Sequence, residues 1–191
     1  MKYFVESFAR GDEAAEASLK YYLAVVCDGC KSKGFIPRTT VNTWKGKRTK
    51  TLVFASPSER EALRAAARHR FVDVVSFGGK TLRYLDESEV LLVLQGGKGI
   101  EIRINEVLER WKSLNDLKRV VNLLLNKWVP TLLTCSPSSR YELCHPFQII
   151  SLIATLGYKE EDVAALWGLG SSWLISLIER KMGMKKVLRS D

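Results

Sequence analysis

Apolar runs of four or five residues alternate along this chain with amphipathic stretches, the pattern of an α/β fold with a mainly parallel sheet. Lys2–Val5 is predicted as a short opening strand, Glu13–Tyr22 as a helix, Leu23–Cys27 as a second buried strand and Thr51–Ala55 as a third. Ser56-Pro57-Ser58-Glu59 has the spacing of a capping box with proline at the first helical position, which predicts a helix over Glu59–Arg70. That helix leads directly into the strand Val72–Ser76. One strand–helix–strand crossover is therefore legible, and such units are nearly always right-handed.

The middle is less regular. Gly78-Gly79 breaks the chain, and Thr81–Leu85 reads as a partial strand. Val90–Leu94 and Ile100–Ile104 both look like strands, with only Gln95-Gly96-Gly97-Lys98-Gly99 between them. A parallel pair needs a crossover of about a dozen residues. The two are thus expected either as an antiparallel hairpin or as a barrel unit that has lost its helix. Asn115–Trp128 carries Leu117, Val120, Val121, Leu124 and Trp128 on one helical stripe. Thr131–Cys135 is a last buried strand, followed by a Ser-Pro-rich turn and three short helices, one of them opened by Pro146. The sum is about seven strands in one barrel-like α/β domain spanning 1–191, without repeats or linkers.

Composition narrows the class. At 191 residues, 46% hydrophobic and 27% charged, the chain is long and apolar enough for a substantial core. Its longest apolar runs are too short to span a bilayer, and the opening MKYFVESFARGD lacks an apolar signal core, so a cytoplasmic protein with no membrane partner is expected. Thirty Lys and Arg against 21 Asp and Glu leave a net charge of +9. The surplus is clustered. A basic loop over 31–50 holds seven cations and no acid, and a basic tail over 180–191 holds five more. Clustered positive charge of this kind is the electrostatic footprint of a nucleic-acid binder. Trp44 beside Lys45, Lys47, Arg48 and Lys50 interleaves an aromatic with cations, able to stack on a base and pair with phosphates. The same segment would also serve as a basic loop with Trp44 packed on the domain.

Motifs for independent chemistry are sparse. Two histidines, His69 and His145, with no His-x-His pair, fall short of the ligand set of a multi-metal phosphoesterase. His69 is placed to assist a helix C-terminus, and His145, ahead of Pro146, reads as a polar turn residue. Cys27-Asp28-Gly29-Cys30 could be a redox pair, half of a zinc site or a structural disulfide, with Cys135 and Cys144 as further thiols. Gly96-Gly97-Lys98-Gly99 is glycine-rich and basic, yet it precedes a strand, so the helix N-terminus that cradles phosphate is missing. A stand-alone barrel hydrolase using metal or thiol, and a scaffold protein that binds no RNA, are the rival readings.

Over nearly its whole length the chain also resembles a known family. Val5-Glu6 closes the first strand, Phe54-Ala55-Ser56-Pro57 precedes a helix, Asp73-Val74-Val75-Ser76 forms a strand, and Ile100-Glu101-Ile102 forms another. Leu123–Trp128 ends the helix before Thr131–Cys135, then come a serine cluster, Arg140-Tyr141 and the helix from Pro146. In this order the segments resemble the thirty-kilodalton protein subunit of archaeal and eukaryotic ribonuclease P. The resemblance implies a distorted barrel related to a metal-dependent phosphoesterase superfamily. It also implies a role assisting an RNA catalyst that removes the 5′ leader from precursor tRNA. The partners implied are the ribonuclease P RNA, a small ferredoxin-like protein subunit and, indirectly, precursor tRNA. No cofactor is expected on the protein, and Mg²⁺ is expected on the RNA. The RNA-contacting candidates are Arg38, Trp44, Lys45, Lys47, Arg48, Lys50, Arg64, Arg68, Lys98, Arg103, Arg140, Lys185 and Lys186. Trp167 and Trp173 are candidates for docking the protein partner. Three departures stand out: a Gly-rich link in place of the helix before Ile100, Asn105-Glu106 where the family carries an Arg-Pro pair, and Cys144-His145-Pro146-Phe147-Gln148 where it carries an Arg-Ser/Tyr-Pro-Arg-Asp type sequence.

Overall fold

The computed structural model describes residues 4–32, 34–42, 51–110 and 113–183. Seven strands form one parallel sheet in sequence order: β1 Val5–Arg10, β2 Ala24–Asp28, β3 Ile36–Val41, β4 Leu52–Ala55, β5 Val74–Gly78, β6 Gly99–Arg103 and β7 Thr131–Thr134. Helices α1 Asp12–Ser18, α2 Arg60–Arg68, α3 Glu87–Gln95, α4 Ile104–Leu108, α5 Ser113–Lys127, α6 Pro146–Ala154 and α7 Glu160–Met182 accompany them. The sheet curls into a nearly closed barrel. Its two edges, β1 and β7, are bridged by the Arg10 N–H to the Pro137 carbonyl (2.9 Å) and by the Thr134 hydroxyl to Glu6.

The expected barrel is present, but one strand is exchanged for another. Val90–Leu94 is helical, the body of α3. Asp86 caps it by accepting from the Glu89 N–H (3.1 Å), and Gly96 ends it. β5 and β6 are parallel neighbours, so the chain between them must cross back, and a capped helix of nine residues does this. The helix before Ile100 is therefore present rather than replaced by a link. Thr81–Leu85, expected as a partial strand, lies largely within a 3₁₀ segment, Gly79–Tyr84.

The strand that sequence reasoning missed is β3, inside the basic loop. It pairs Val26 with Ile36 and Cys27 with Pro37, so it is staggered toward the upper end of β2. That stagger lets a connection of seven residues, 29–35, join two parallel strands, because little backtracking is needed. Backbone N–H groups of Lys31 and Ser32 donate to Asp12 across this loop, and a Cys27–Cys30 disulfide pins its start. The capping box predicted at Ser56–Glu59 does not form. Helix α2 begins at Arg60 without a side-chain cap, and Ser56 faces the barrel interior.

Two-residue alternation sorts the strands. Val53, Val75, Phe77, Ile100, Ile102 and Leu133 face the helices, while Val5, Ala24, Ile36, Leu52, Val74 and Leu132 point inward at the N-terminal end. Helix α7 plugs that end with Leu174 and Ile178, and Trp167 stacks on Phe4 with ring centroids 4.5 Å apart. Trp167 is fully buried and so belongs to the core, not to a docking face. Helix α7 also seals the β1–β7 seam, since Ser171 Oγ accepts from the Val5 N–H at 3.2 Å.

Gly170 permits this approach. A Cβ there would stand 1.9 Å from the Thr131 carbonyl oxygen, a backbone atom that cannot step aside. Gly→Ala in a helix ordinarily gains up to about 1 kcal/mol. Here overpacking reverses the sign, and Gly170→Ala is expected to lower stability by about 2 kcal/mol. Urea unfolding checks this; a more stable variant would contradict the contact.

Candidate functional site

Above the apolar layer the barrel interior turns polar. Arg38 of β3 points inward with its side chain fully enclosed and meets Glu101 of β6 (Nη1–Oε1 2.9 Å, Nη2–Oε2 3.2 Å). Its guanidinium is sandwiched between the rings of Phe8 and Phe54, at 3.6 and 3.7 Å from their centroids. Glu101 also accepts from the hydroxyls of Ser7 and Ser76. Burial pulls the Arg38 guanidinium down from its ordinary value, and Glu101 opposes that shift. Such a pair is held by geometry: each partner satisfies the hydrogen-bonding groups that desolvation would otherwise leave exposed to a low dielectric.

Higher still, Arg103 of β6 donates to Ser76 (2.8 Å), Ser56 (3.0 Å) and Glu106 (Nη2–Oε2 3.0 Å). Arg10 reaches Ser136 at 3.2 Å. A cavity of about 690 Å³ opens beside them at the C-terminal end of the strands, bordered by Arg10, Glu106, Glu109, Ser136 and Glu142. Barrel enzymes place their chemistry at this end. Here the interior carboxylates Glu101 and Glu106 are engaged by arginines. Among the described residues no group of three or more His, Cys, Asp and Glu is placed to hold a metal.

Glu6 sits at the seam, buried, with Oε1 accepting from Thr134 and the Phe8 N–H while Oε2 has no hydrogen-bond partner among the described residues. Burial pushes its carboxyl up to about 7, more than the Thr134 and Phe8 hydrogen bonds pull it down; Glu101 adds to the rise and Arg38 opposes it. The four cysteines form two disulfides, Cys27–Cys30 and Cys135–Cys144, the second closing the Ser-Pro turn after β7. His145 caps α6 by accepting from the Phe147 N–H, as its place before Pro146 suggested. His69 accepts from the Phe71 N–H at the end of α2.

The cationic candidates separate into three groups. Arg38 and Arg103 are inside the barrel and Lys98 is buried below it, all three engaged with protein groups. The fold encloses Arg38 and Arg103 and supplies their partners, whereas Lys98 borders a cavity at the N-terminal end of the barrel. Arg64, Arg68 and Arg140 are exposed, although Arg64 pairs with Glu89 (2.8 Å) and Arg140 packs over Tyr141. Trp44, Lys45, Lys47, Arg48, Lys50, Lys185 and Lys186 lie outside the described residues.

Two candidates distant in sequence, Arg68 and Lys98, are brought to one cavity at the N-terminal end of the barrel, with Arg70, Arg180, Lys181 and the half-buried Trp173. Arg70 was not among the predicted contacts. The signal that finds it is topological: α2 ends just before β5 and α3 just before β6, and parallel neighbours place the loops that precede them side by side.

No family model matches this chain, and no curated protein matches it in sequence. In fold it is similar to a chain in the cryo-EM structure of archaeal ribonuclease P with mature tRNA, with a TM-score of 0.72 and 15% identity. The likeness covers 95% of this chain and 92% of that chain. At that identity it establishes the shared fold.

Proposed function

We propose that this protein is a protein subunit of a ribonuclease P, the ribonucleoprotein that removes the 5′ leader from precursor tRNA. The observation that carries this is the fold shared over nearly the full length of both chains with a component of the archaeal assembly. The net charge of +9 fits a subunit that neutralises RNA backbone. In this role the RNA and its Mg²⁺ perform the hydrolysis. The protein holds the catalytic RNA through its basic segments 31–50 and 180–191 and exposed arginines such as Arg140, and docks a small ferredoxin-like subunit. The cytoplasm is the compartment this role implies. Among the described residues no helix is long and apolar enough to cross a membrane.

Reconstitution tests the proposal. The protein and a ferredoxin-like partner, added to ribonuclease P RNA at modest Mg²⁺, are expected to stimulate precursor-tRNA cleavage. The stimulation should vanish at high salt. Neutralising Lys45, Lys47, Arg48 and Lys50 together should make the slope of log affinity against log salt shallower by about 3, if all four meet phosphates. Absence of stimulation by folded protein on active RNA would refute the assignment.

A further inference from the structure

The two ends of the barrel differ in charge. The cavity at the C-terminal end has three carboxylates (Glu106, Glu109, Glu142) against one arginine, and would repel a phosphate. Among the described residues, the cavity at the N-terminal end, about 680 Å³, has five cations (Arg68, Arg70, Lys98, Arg180, Lys181) against Asp73 alone. Helix C-termini attract cations, and α2, α3 and α7 all end near this cavity. Three helix ends carry roughly −0.5 each. With Asp73 they still leave a surplus of about +2.5, so helix capping does not account for the cluster.

Lys98 is the least expected member. It is buried, and its ammonium donates to the main-chain carbonyls of His69 (2.8 Å) and Val72 (2.7 Å) instead of to a carboxylate. Burial lowers its pKa; Asp73 opposes that and Lys181 adds to it. An anion in the cavity would relieve this cost. Lys181 is paired with Asp73, whereas Arg68 has no ion pair among the described residues. Aromatic surface lies beside the charge. Trp173 packs so closely on Gly99 that a Cβ there would stand 2.5 Å from Cζ3, which fixes the indole as one wall, and Phe71 with Arg70 over its ring lines another part.

From this we infer that the N-terminal cavity is a nucleotide site: Arg68, Lys98 and Arg180 receive a phosphate, and the aromatic walls receive the base. The ligand is a nucleoside monophosphate unit, either free or within single-stranded RNA. For the RNA source the inference deepens the ribonuclease P reading and rests on it; for the free nucleotide it does not.

The test is direct binding by the full chain, separate from cleavage stimulation. AMP, ribose 5-phosphate and inorganic phosphate are titrated by calorimetry, and a labelled ten-residue oligoadenylate by fluorescence anisotropy. AMP is expected to bind one to one, at least tenfold tighter than ribose 5-phosphate, because base–aromatic stacking is the difference. The exposed pair Arg68→Gln with Arg180→Gln should weaken AMP tenfold or more, and should lower the oligonucleotide's salt slope by more than one unit. Arg60→Gln with Arg83→Gln, outside the cavity lining, should leave AMP binding unchanged. Oligoadenylate binding tenfold or more tighter than AMP identifies RNA as the source; equal or weaker binding identifies the free nucleotide. Equal affinity for AMP and ribose 5-phosphate overturns the inference. So does AMP binding that survives the Arg68 and Arg180 changes, or displacement by polyglutamate as effective as by oligoadenylate. Failure of AMP and oligonucleotide binding alongside intact cleavage stimulation would remove this site and leave the subunit assignment standing.

Discussion

Replacing Arg38 with methionine is expected to destabilise the protein by about 3–5 kcal/mol, the largest effect of any single change considered. The guanidinium fills the barrel between Phe8 and Phe54, and it is the cation that meets the Glu101 carboxylate. Methionine restores much of the volume but leaves Glu101 in a desolvated interior with hydroxyl donors from Ser7 and Ser76. It also removes a donor from the Ser7 carbonyl and one from Thr40. Volume loss alone would cost less, so the charge left behind is the dominant contribution. A double-mutant cycle separates the two. Arg38→Met with Glu101→Gln should recover more than half the loss, because the uncompensated charge is gone. Urea unfolding of the four proteins gives the coupling, and additive losses would show that the pair acts through packing and not through charge.

The second large effect is a pH dependence traceable to Glu6. Its carboxyl is raised from 4.5 to about 7 by burial, so over that interval the folded chain binds a proton that the unfolded chain releases. Stability therefore falls as pH rises from about 4.5 and the full penalty is reached above about 7. A rise of this size corresponds to about 3 kcal/mol. Other groups titrate in the same range, so the readout is the difference between wild type and Glu6→Gln. Glutamine keeps an oxygen for Thr134 and the Phe8 N–H but cannot ionise. The two proteins should be of similar stability at pH 4.5, and the variant more stable by about 3 kcal/mol at pH 8. Parallel stability curves would show that Glu6 is not the group concerned.

Much of this architecture was legible in the chain itself. Apolar runs located five of the seven strands and met β1 only at Val5; the 3.6-residue stripe on Leu117, Val120, Val121 and Leu124 identified α5, although Trp128, read into the same stripe, lies past the helix end and is exposed. Pro146 with His145 ahead of it marked the start of α6. The surplus of basic residues was a matter of counting. These features are local: periodicity states which face of a segment is apolar, and end signals such as Gly and Pro act within a few residues.

What only the tertiary structure decided depends on neighbours far along the chain. Val90–Leu94 is apolar enough for a strand, and it is a helix because β5 and β6 must lie parallel and Asp86 caps the crossover. Ile36–Val41, carrying Pro37 and Arg38, does not look like a core strand until Glu101, 63 positions away, supplies the countercharge that lets Arg38 point inward. The division of the cations is of the same kind. Arg38, Lys98, Arg103 and Arg180 are alike as letters. A carboxylate faces the first, main-chain carbonyls face the second, serines and Glu106 face the third, and an open cavity faces the last. A cation's chemistry is set by the groups the fold brings against it, and those are encoded only jointly, by segments whose proximity no local pattern records.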